Sequence, residues 1–382
     1  MNIGIVCYAS IGGSGAIATE LGKSLASRGH HVHILSGETP FRLGHYQPGL
    51  AFHRVETPSY PLFREPQYLL SLANKIVQVS RQEQLHIVHA HYAIPHATAA
   101  YLARQMLART ERARVPRVIT TLHGTDITLL GADRSYSEIV AFSVQQSDGV
   151  TAVSASLEAD TYRELGVTCE IRVIPNFLDC AAYTRREVPV LRRELAPGGE
   201  KLLIHVSNFR PVKRVAAVVE VFARVKREIP ARLLMVGDGP DLPDAARLAE
   251  ARGVSADVQF LGEQDQVVPL LSASDVFLLP SSQESFGLAA LEAMACEVAV
   301  VASRAGGLPE VIEYGVSGFL HEPEDLDGMA RSALRLLTDE DLRRRVAAAA
   351  RATAVERFCD TRIVPEYERF YEETLARASA SK

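Results

Sequence analysis

Two α/β domains in tandem, each doubly wound about a parallel sheet, are predicted by three features of the sequence. Short apolar runs alternate with helical patterns along nearly the whole chain. Polar, glycine-rich loops follow those runs, at the strand ends where open α/β sheets place ligands. At 382 residues the chain is also too long for one ordinary core. Its 47% hydrophobic and 23% charged content is that of a folded globular protein. A formal net charge of −5 supplies no general basic field, which argues against nucleic acid as a main partner.

The first half opens with a buried strand at Asn2–Tyr8, then Gly12-Gly13-Ser14-Gly15, then a helical pattern from Ala16 to Ser27. With the strand at His31–Leu35 this makes a βαβ unit whose glycine loop lets amides approach an anion. A dinucleotide is one reading, with Glu38 near a ribose position. However, Ala18 fills the third glycine place of the fingerprint. A tight turn without a ligand is another reading. Strands near 50–55, 86–90 and 117–121 follow, separated by helices near 67–81 and 95–107. At two strand ends stand His89-Ala90-His91-Tyr92 and Thr121-Leu122-His123-Gly124-Thr125-Asp126. His89 and His91 resemble a metal pair, but no carboxylate or cysteine stands at a ligand spacing beside them, and no metal is expected. In the second cluster Asp126 or Thr125 serves either a ligand or the next helix as a cap.

A new sheet begins at Lys201–Val206, followed by Ser207-Asn208-Phe209-Arg210-Pro211-Val212-Lys213-Arg214. Cations before the helix at 215–227 are unfavourable unless an anion faces them, which suggests a diphosphate. Arg232–Val236 ends in the turn Gly237-Asp238-Gly239-Pro240, and a strand at 258–262 carries Leu261 and Gly262. The apolar run 275–280 leads into Ser281-Ser282-Gln283-Glu284-Ser285-Phe286-Gly287, and good helix formers continue from Leu288 to Ala295. Amides of Ser285, Phe286, Gly287 and Leu288 then sit at a helix start suited to phosphate, flanked by Glu284 and Glu292. Both glutamates also have a plainer reading, as helix-favouring residues facing solvent. The Asp-x-Asp strings at Asp325/Asp327 and Asp339/Asp341 read as caps. Cys7, Cys169, Cys180, Cys296 and Cys359 are scattered and odd in number, which predicts reduced thiols in a cytoplasmic protein. Neither a signal peptide nor a membrane span is expected.

Glu284 and Glu292 form a Glu-x7-Glu pattern. With Lys213, Gly237-Asp238-Gly239-Pro240, Ser285-Phe286-Gly287 and Gly306-Gly307-Leu308-Pro309-Glu310, the chain resembles the retaining GT-B glycosyltransferases of the family-4 type. The branch it is most similar to is marked by the Gly12–Lys23 stretch, His89–Ala93, Thr120–Thr128 and His205–Arg210. That branch transfers N-acetylglucosamine from UDP-N-acetylglucosamine to L-malate in bacillithiol biosynthesis.

The resemblance implies two Rossmann-like domains facing across a cleft. The first, acceptor-binding, takes residues 1–175 with a helix at 365–382 crossing back. A linker takes 176–200, and the nucleotide-sugar domain 201–364. It implies catalytic roles for His123, Glu284, Lys213 and Arg210. The sugar nucleotide would meet Gly15, Asn208, Gly237, Asp238, Leu261, Gly262, Ser285, Phe286, Gly287, Leu288 and Glu292. The acceptor would meet Gly13, Ser14, Tyr92, Thr121, Asp126 and Asn176, with Arg42 and Arg64 as candidate carboxylate partners. Relatives often carry Gly-Arg where this chain has Ser207-Asn208, which leaves open which cation replaces that arginine. No metal or other cofactor is implied, and a homo-oligomer is compatible. Alternatives are another acceptor (inositol phosphate or a lipid), a UDP-sugar 2-epimerase, and a non-catalytic dinucleotide sensor.

Overall fold

The computed structural model describes residues 1–9, 13–58, 67–109 and 114–380. The chain divides into two compact units, Met1–Phe177 together with Asp360–Lys382, and Leu178–Cys359. The first holds strands β1 (Asn2–Val6), β2 (His31–Ser36), β3 (Leu50–Arg54), β4 (Ile87–His91), β5 (Arg117–Leu122), β6 (Gly149–Ala152) and β7 (Ile171–Val173). The second holds β8 (Lys201–Val206), β9 (Ala231–Val236), β10 (Val258–Gly262), β11 (Val276–Leu279), β12 (Ala299–Ser303) and β13 (Gly318–His321). Every strand pair is parallel, in the orders β3-β2-β1-β4-β5-β6-β7 and β10-β9-β8-β11-β12-β13. Burial on both faces explains why the strands read as continuous apolar runs. Strand order reverses between β1 and β4 in one sheet and between β8 and β11 in the other. Loops leaving those strands therefore splay apart and open a crevice in each unit.

Apolar side chains from both helices and strands fill the cores. Leu72, Ile76 and Val79 of the helix Tyr68–Glu83 pack with Val6, Leu35, Val88 and Val118. In the second unit Val218 and Phe222 of the helix Val215–Glu228 join Leu203, Leu233, Met235 and Met329. The helix Asp360–Ala380 belongs to the first unit, where Tyr367 and Tyr371 are fully buried and Glu368 pairs with Arg28 at 2.7 Å. Both aspartate strings do cap helices, Asp325 accepting from the Gly328 amide and Asp339 from that of Leu342.

Two expectations are corrected here. The stretch expected as a linker from residue 176 is folded into the second unit from Leu178 onward, and Pro189–Leu195 is helical, with proline in the first turn where its missing N–H costs nothing. Cys180 and Cys359 form a disulfide instead of remaining thiols. They stand 179 residues apart, so only the return of the chain beside itself, in the bridge Leu178↔Cys359, brings them together. Cys7, Cys169 and Cys296 are free.

Candidate active site

In the second unit the crevice is built by three loops. The loop after β8 is knitted to the turn after β9 by two main-chain bonds, from the Phe209 amide to Asp238 O (2.8 Å) and from the Asp241 amide to Phe209 O (3.0 Å). Gly237 has φ +123°, and a Cβ there would stand 1.8 Å from Ser207 O, so only glycine allows this approach. Its amide donates to Gly262 O at 2.8 Å, which brings Leu261 and Gly262 beside the turn. The Ser282 amide donates to Val212 O at 2.9 Å and so draws the loop after β11 against Lys213.

That tether sets the central contact. Lys213 Nζ lies 2.5 Å from Glu284 Oε1, which also accepts from Ser281 Oγ at 2.9 Å. Glu284 is only 8% exposed. A cation and an anion so placed neutralise each other until a ligand arrives with phosphate for one and hydroxyls for the other. Gly306 and Gly307 hold the loop from behind. The Gly307 amide donates to Glu284 O at 2.8 Å, and a Cβ at Gly306 would fall 1.9 Å from that oxygen. Gly287, at φ +93°, begins the helix Leu288–Ala295. Among the described residues, the amides of Phe286, Gly287 and Leu288 donate to no carbonyl of the surrounding loops. The two arginines weighed as the replacement cation are placed differently. Arg214 is committed to the Pro323 carbonyl, whereas Arg210 is exposed and forms no ion pair among the described residues. Asn208 and Asp238 are also exposed, Asp238 accepting from the Gly239 amide at 2.7 Å.

Glu292 is buried one turn into the same helix and receives the Tyr183 hydroxyl on Oε1 at 2.9 Å. Arg351 positions Tyr183 by donating to the carbonyls of Tyr183, Cys180 and Ala295, the last at 2.8 Å. Tyr183 and Arg351 escaped the sequence reading, and Ser281 entered it only as the first residue of the loop after the apolar run. The tyrosine comes from 109 residues away, and no local spacing announces it. His205 was read only as part of a motif. Its buried ring donates from Nδ1 to Leu278 O (2.8 Å), which leaves Nε2 to accept from Ser207 Oγ at 2.7 Å. Burial pushes its pKa down to about 4.

The first unit gathers an aromatic and imidazole cluster at the ends of β1, β4 and β5. Tyr92 has φ +97°, a strained conformation for a tyrosine, and its ring lies 5.6 Å from that of Tyr8 and 5.4 Å from that of His123. His123 is partly exposed and reaches His91 through Nε2, 2.9 Å from Nδ1 of that ring. Burial, and then His96, push the His123 pKa down to about 3. Gly13 is exposed at φ +61°, while Ser14 and Gly15 begin the helix Ser14–Ser27 and are buried. Asn176 is buried, and its Oδ1 has no partner among the described residues. Arg64 lies outside the described residues.

Two acceptor assignments do not fit. Thr121 is fully buried, and its hydroxyl is spent between His89 Nε2 at 2.6 Å and Thr151 Oγ1 at 2.7 Å. Asp126 is likewise sealed inside. It accepts from the amides of Gly124 (3.0 Å), Ala93 (3.2 Å) and His123 (3.3 Å), and burial still raises its pKa to about 6. Asp126 therefore organises the loop that carries His123. The His89 and His91 rings lie 4.4 Å apart, tilted by 37°, and no group of three or more His, Cys, Asp and Glu side chains is placed to hold a metal ion among the described residues.

Two α/β units, each built on a parallel sheet and one of them carrying a glutamate pair astride an amide-lined helix start with a lysine in contact, are the elements of a GT-B glycosyltransferase. Residues 11–182 match Glycosyltransferase Family 4, and residues 190–353 match Glycosyl transferases group 1. The sequence is 46% identical to the N-acetyl-alpha-D-glucosaminyl L-malate synthase of Bacillus anthracis, over 98% of this chain and 97% of that one. A D-inositol 3-phosphate glycosyltransferase of Corynebacterium jeikeium is 35% identical over 46% of this chain and 45% of its own. In fold the chain is similar to Anabaena HepE solved with UDP and glucose, at TM-score 0.80 and 20% identity over 98% of this chain and 100% of that one. The chain belongs to the family-4 glycosyltransferases and is an enzyme of that class.

Proposed function

We propose that this enzyme moves N-acetylglucosamine from UDP-N-acetylglucosamine to the hydroxyl of L-malate with retention at the anomeric carbon, the first step of bacillithiol biosynthesis in a cytoplasm. The single observation that carries this reading is the 46% identity, sustained over nearly the full length of both chains, with a synthase named for that product. The second unit supplies the donor groups. Glu292 takes the ribose hydroxyls, Glu284 the hexose hydroxyls, and the amides of Ser285–Leu288 with Lys213 and Arg210 the diphosphate. Asn208, Asp238, Leu261 and Gly262 border the nucleotide. The first unit supplies His123 for the hexose and Gly13, Ser14 and Tyr92 for the carboxylates of malate. In the reaction the malate hydroxyl oxygen bonds to the anomeric carbon, the bond from that carbon to the β-phosphate oxygen breaks, and the hydroxyl proton passes to that phosphate oxygen. Charge grows most on the departing diphosphate, where Lys213 and the helix amides act. Positive charge from these groups makes a metal ion unnecessary in this scheme.

The direct test is UDP release from UDP-N-acetylglucosamine with malate, inositol phosphate, simple sugars or water offered as acceptor. Turnover with malate alone is expected; turnover with inositol phosphate alone would reassign the acceptor, and a change of the sugar without any acceptor would mark an epimerase. Ser14→Ala is expected to raise the malate KM roughly tenfold, the worth of a hydrogen bond to a charged group, with the KM for the sugar nucleotide little changed. Equal effects on both would remove Ser14 from the acceptor site. Tyr183→Phe leaves Glu292 without its positioning hydroxyl and is expected to weaken UDP binding about tenfold by calorimetry. Unchanged affinity would separate Glu292 from the ribose.

A further inference from the structure

His91 stands at the end of β4 and is not needed for any contact assigned so far. Its ring is fully buried, with Nδ1 2.9 Å from Nε2 of His123 and the two rings stacked 22° from parallel at 5.1 Å. Burial holds both imidazoles neutral, lowering the pKa of each far below its ordinary value. Between two neutral rings a single proton occupies the contact, so one ring donates and the other accepts. The far side of His91 decides which. Its Nε2 is buried and has no hydrogen-bond partner among the described residues. Sealing an N–H there would strand a donor, which folded proteins avoid more strictly than an idle acceptor lone pair. The proton of His91 therefore belongs on Nδ1, pointing at His123. His96 repeats the pattern beside it: its Nδ1 bonds the His91 carbonyl oxygen and its Nε2 again has no partner among the described residues.

We propose that His91 is a positioning residue that fixes the tautomer of His123: by donating into His123 Nε2 it keeps the His123 proton on Nδ1, which is thereby presented as a hydrogen-bond donor to the ligand. Three facts fit together. The His123 ring is partly exposed, its Nδ1 meets no partner among the described residues, and its main chain is anchored through Asp126. Such a donor suits a hydroxyl oxygen of the transferred sugar, so the role rests on the reading of His123 as the sugar contact. A histidine free to place its proton on either nitrogen would present a bare lone pair part of the time and lose that bond.

The experiment combines side-chain nitrogen NMR with kinetics on the full chain. In the wild-type protein, with His123 signals assigned by their absence from His123→Ala, Nδ1 should carry the proton and Nε2 should be bare. A protonated Nε2 would overturn the assignment, whatever the variants do. His91→Phe keeps the ring and the stacking but removes the donor. It should let the His123 proton move toward Nε2 and lower kcat on the order of tenfold or more, with the KM for the sugar nucleotide little changed. His91→Asn, whose amide nitrogen can occupy the place of Nδ1, should restore most of kcat and the wild-type tautomer. Equal losses in both variants with an unchanged His123 spectrum would reduce His91 to a packing residue. The two readings separate cleanly: full activity in His123→Ala removes the sugar contact and the role of His91 with it, whereas a crippled His123→Ala beside a fully active His91→Phe removes only the role of His91.

Discussion

Lys213→Ala is expected to lower kcat by roughly 10²–10³, the usual cost of removing one preorganised group from a developing negative charge. Of the three cations that follow β8, Arg214 is turned to the Pro323 carbonyl and Arg210 is exposed to solvent, so Lys213 alone is drawn into the crevice by the Ser282–Val212 bond. Its contact with Glu284 at 2.5 Å makes the two a unit. Lys213→Arg should recover little, because a planar fork replaces a compact ammonium in a place shaped by one carboxylate oxygen and one serine hydroxyl. Glu284→Gln should also be severe, and the double variant should fall no further than the worse single one, since residues acting together are not additive. Glu284 keeps the Ser281 hydroxyl when the lysine is gone, and a thermal melt of each variant separates a loss of stability, expected when one partner of a buried pair is removed, from a loss of catalysis. Steady-state kinetics with the sugar nucleotide varied decide the matter: an unchanged kcat in Lys213→Ala would hand the diphosphate to Arg210 and the helix amides.

How far this site was legible depended on whether the signal was local. The helix Leu288–Ala295, the Glu292 it carries and the Glu284 before it were readable because one short strand–loop–helix stretch holds all of them. Strands were readable because sheets buried on both faces leave unbroken apolar runs. What stayed hidden needed side-chain direction or distant partners. Thr121 and Asp126 lie in the right loop and at the right strand end, yet both turn inward, and alternation along a strand gives no sign of which end residue the fold will cover. Tyr183, Arg351 and the Cys180–Cys359 bond join segments separated by more than a hundred residues. The strand β13 was missed because glycine at its first position dilutes a run of only four residues.

The first unit should lose stability steeply as pH falls below about 6.5, the ordinary histidine pKa in an unfolded chain. Burial is the first cause of a lowered pKa at His89 (about 3), His91, His96 (about 4) and His123 (about 3). His33 and His53 shift the same way and for the same first reason. Between pH 6.5 and the folded values, the unfolded chain binds protons that the folded unit refuses. Stability is therefore fully present above pH 6.5 and declines on acidification by about 1.4 kcal/mol per pH unit for each such histidine. Asp126 works in the opposite sense: its pKa, raised by burial to about 6, costs stability at neutral pH and returns it as the carboxyl is protonated. One carboxyl offsets about one histidine, so the four imidazoles around it leave a net slope on the order of 4 kcal/mol per pH unit. In a unit of this size that should move Tm by about 10 °C between pH 6.5 and 5.5. In the second unit, His205 and the less buried His321 are the histidines with a clearly lowered pKa, so its transition should shift much less. Calorimetry across pH 7.5 to 5 measures both, and His96→Phe should flatten the slope by about one proton's worth even where it lowers Tm at neutral pH. A Tm unchanged from pH 7 to 5 would mean that these imidazoles already carry protons in the folded chain, and the neutral network around His123 would be lost with it.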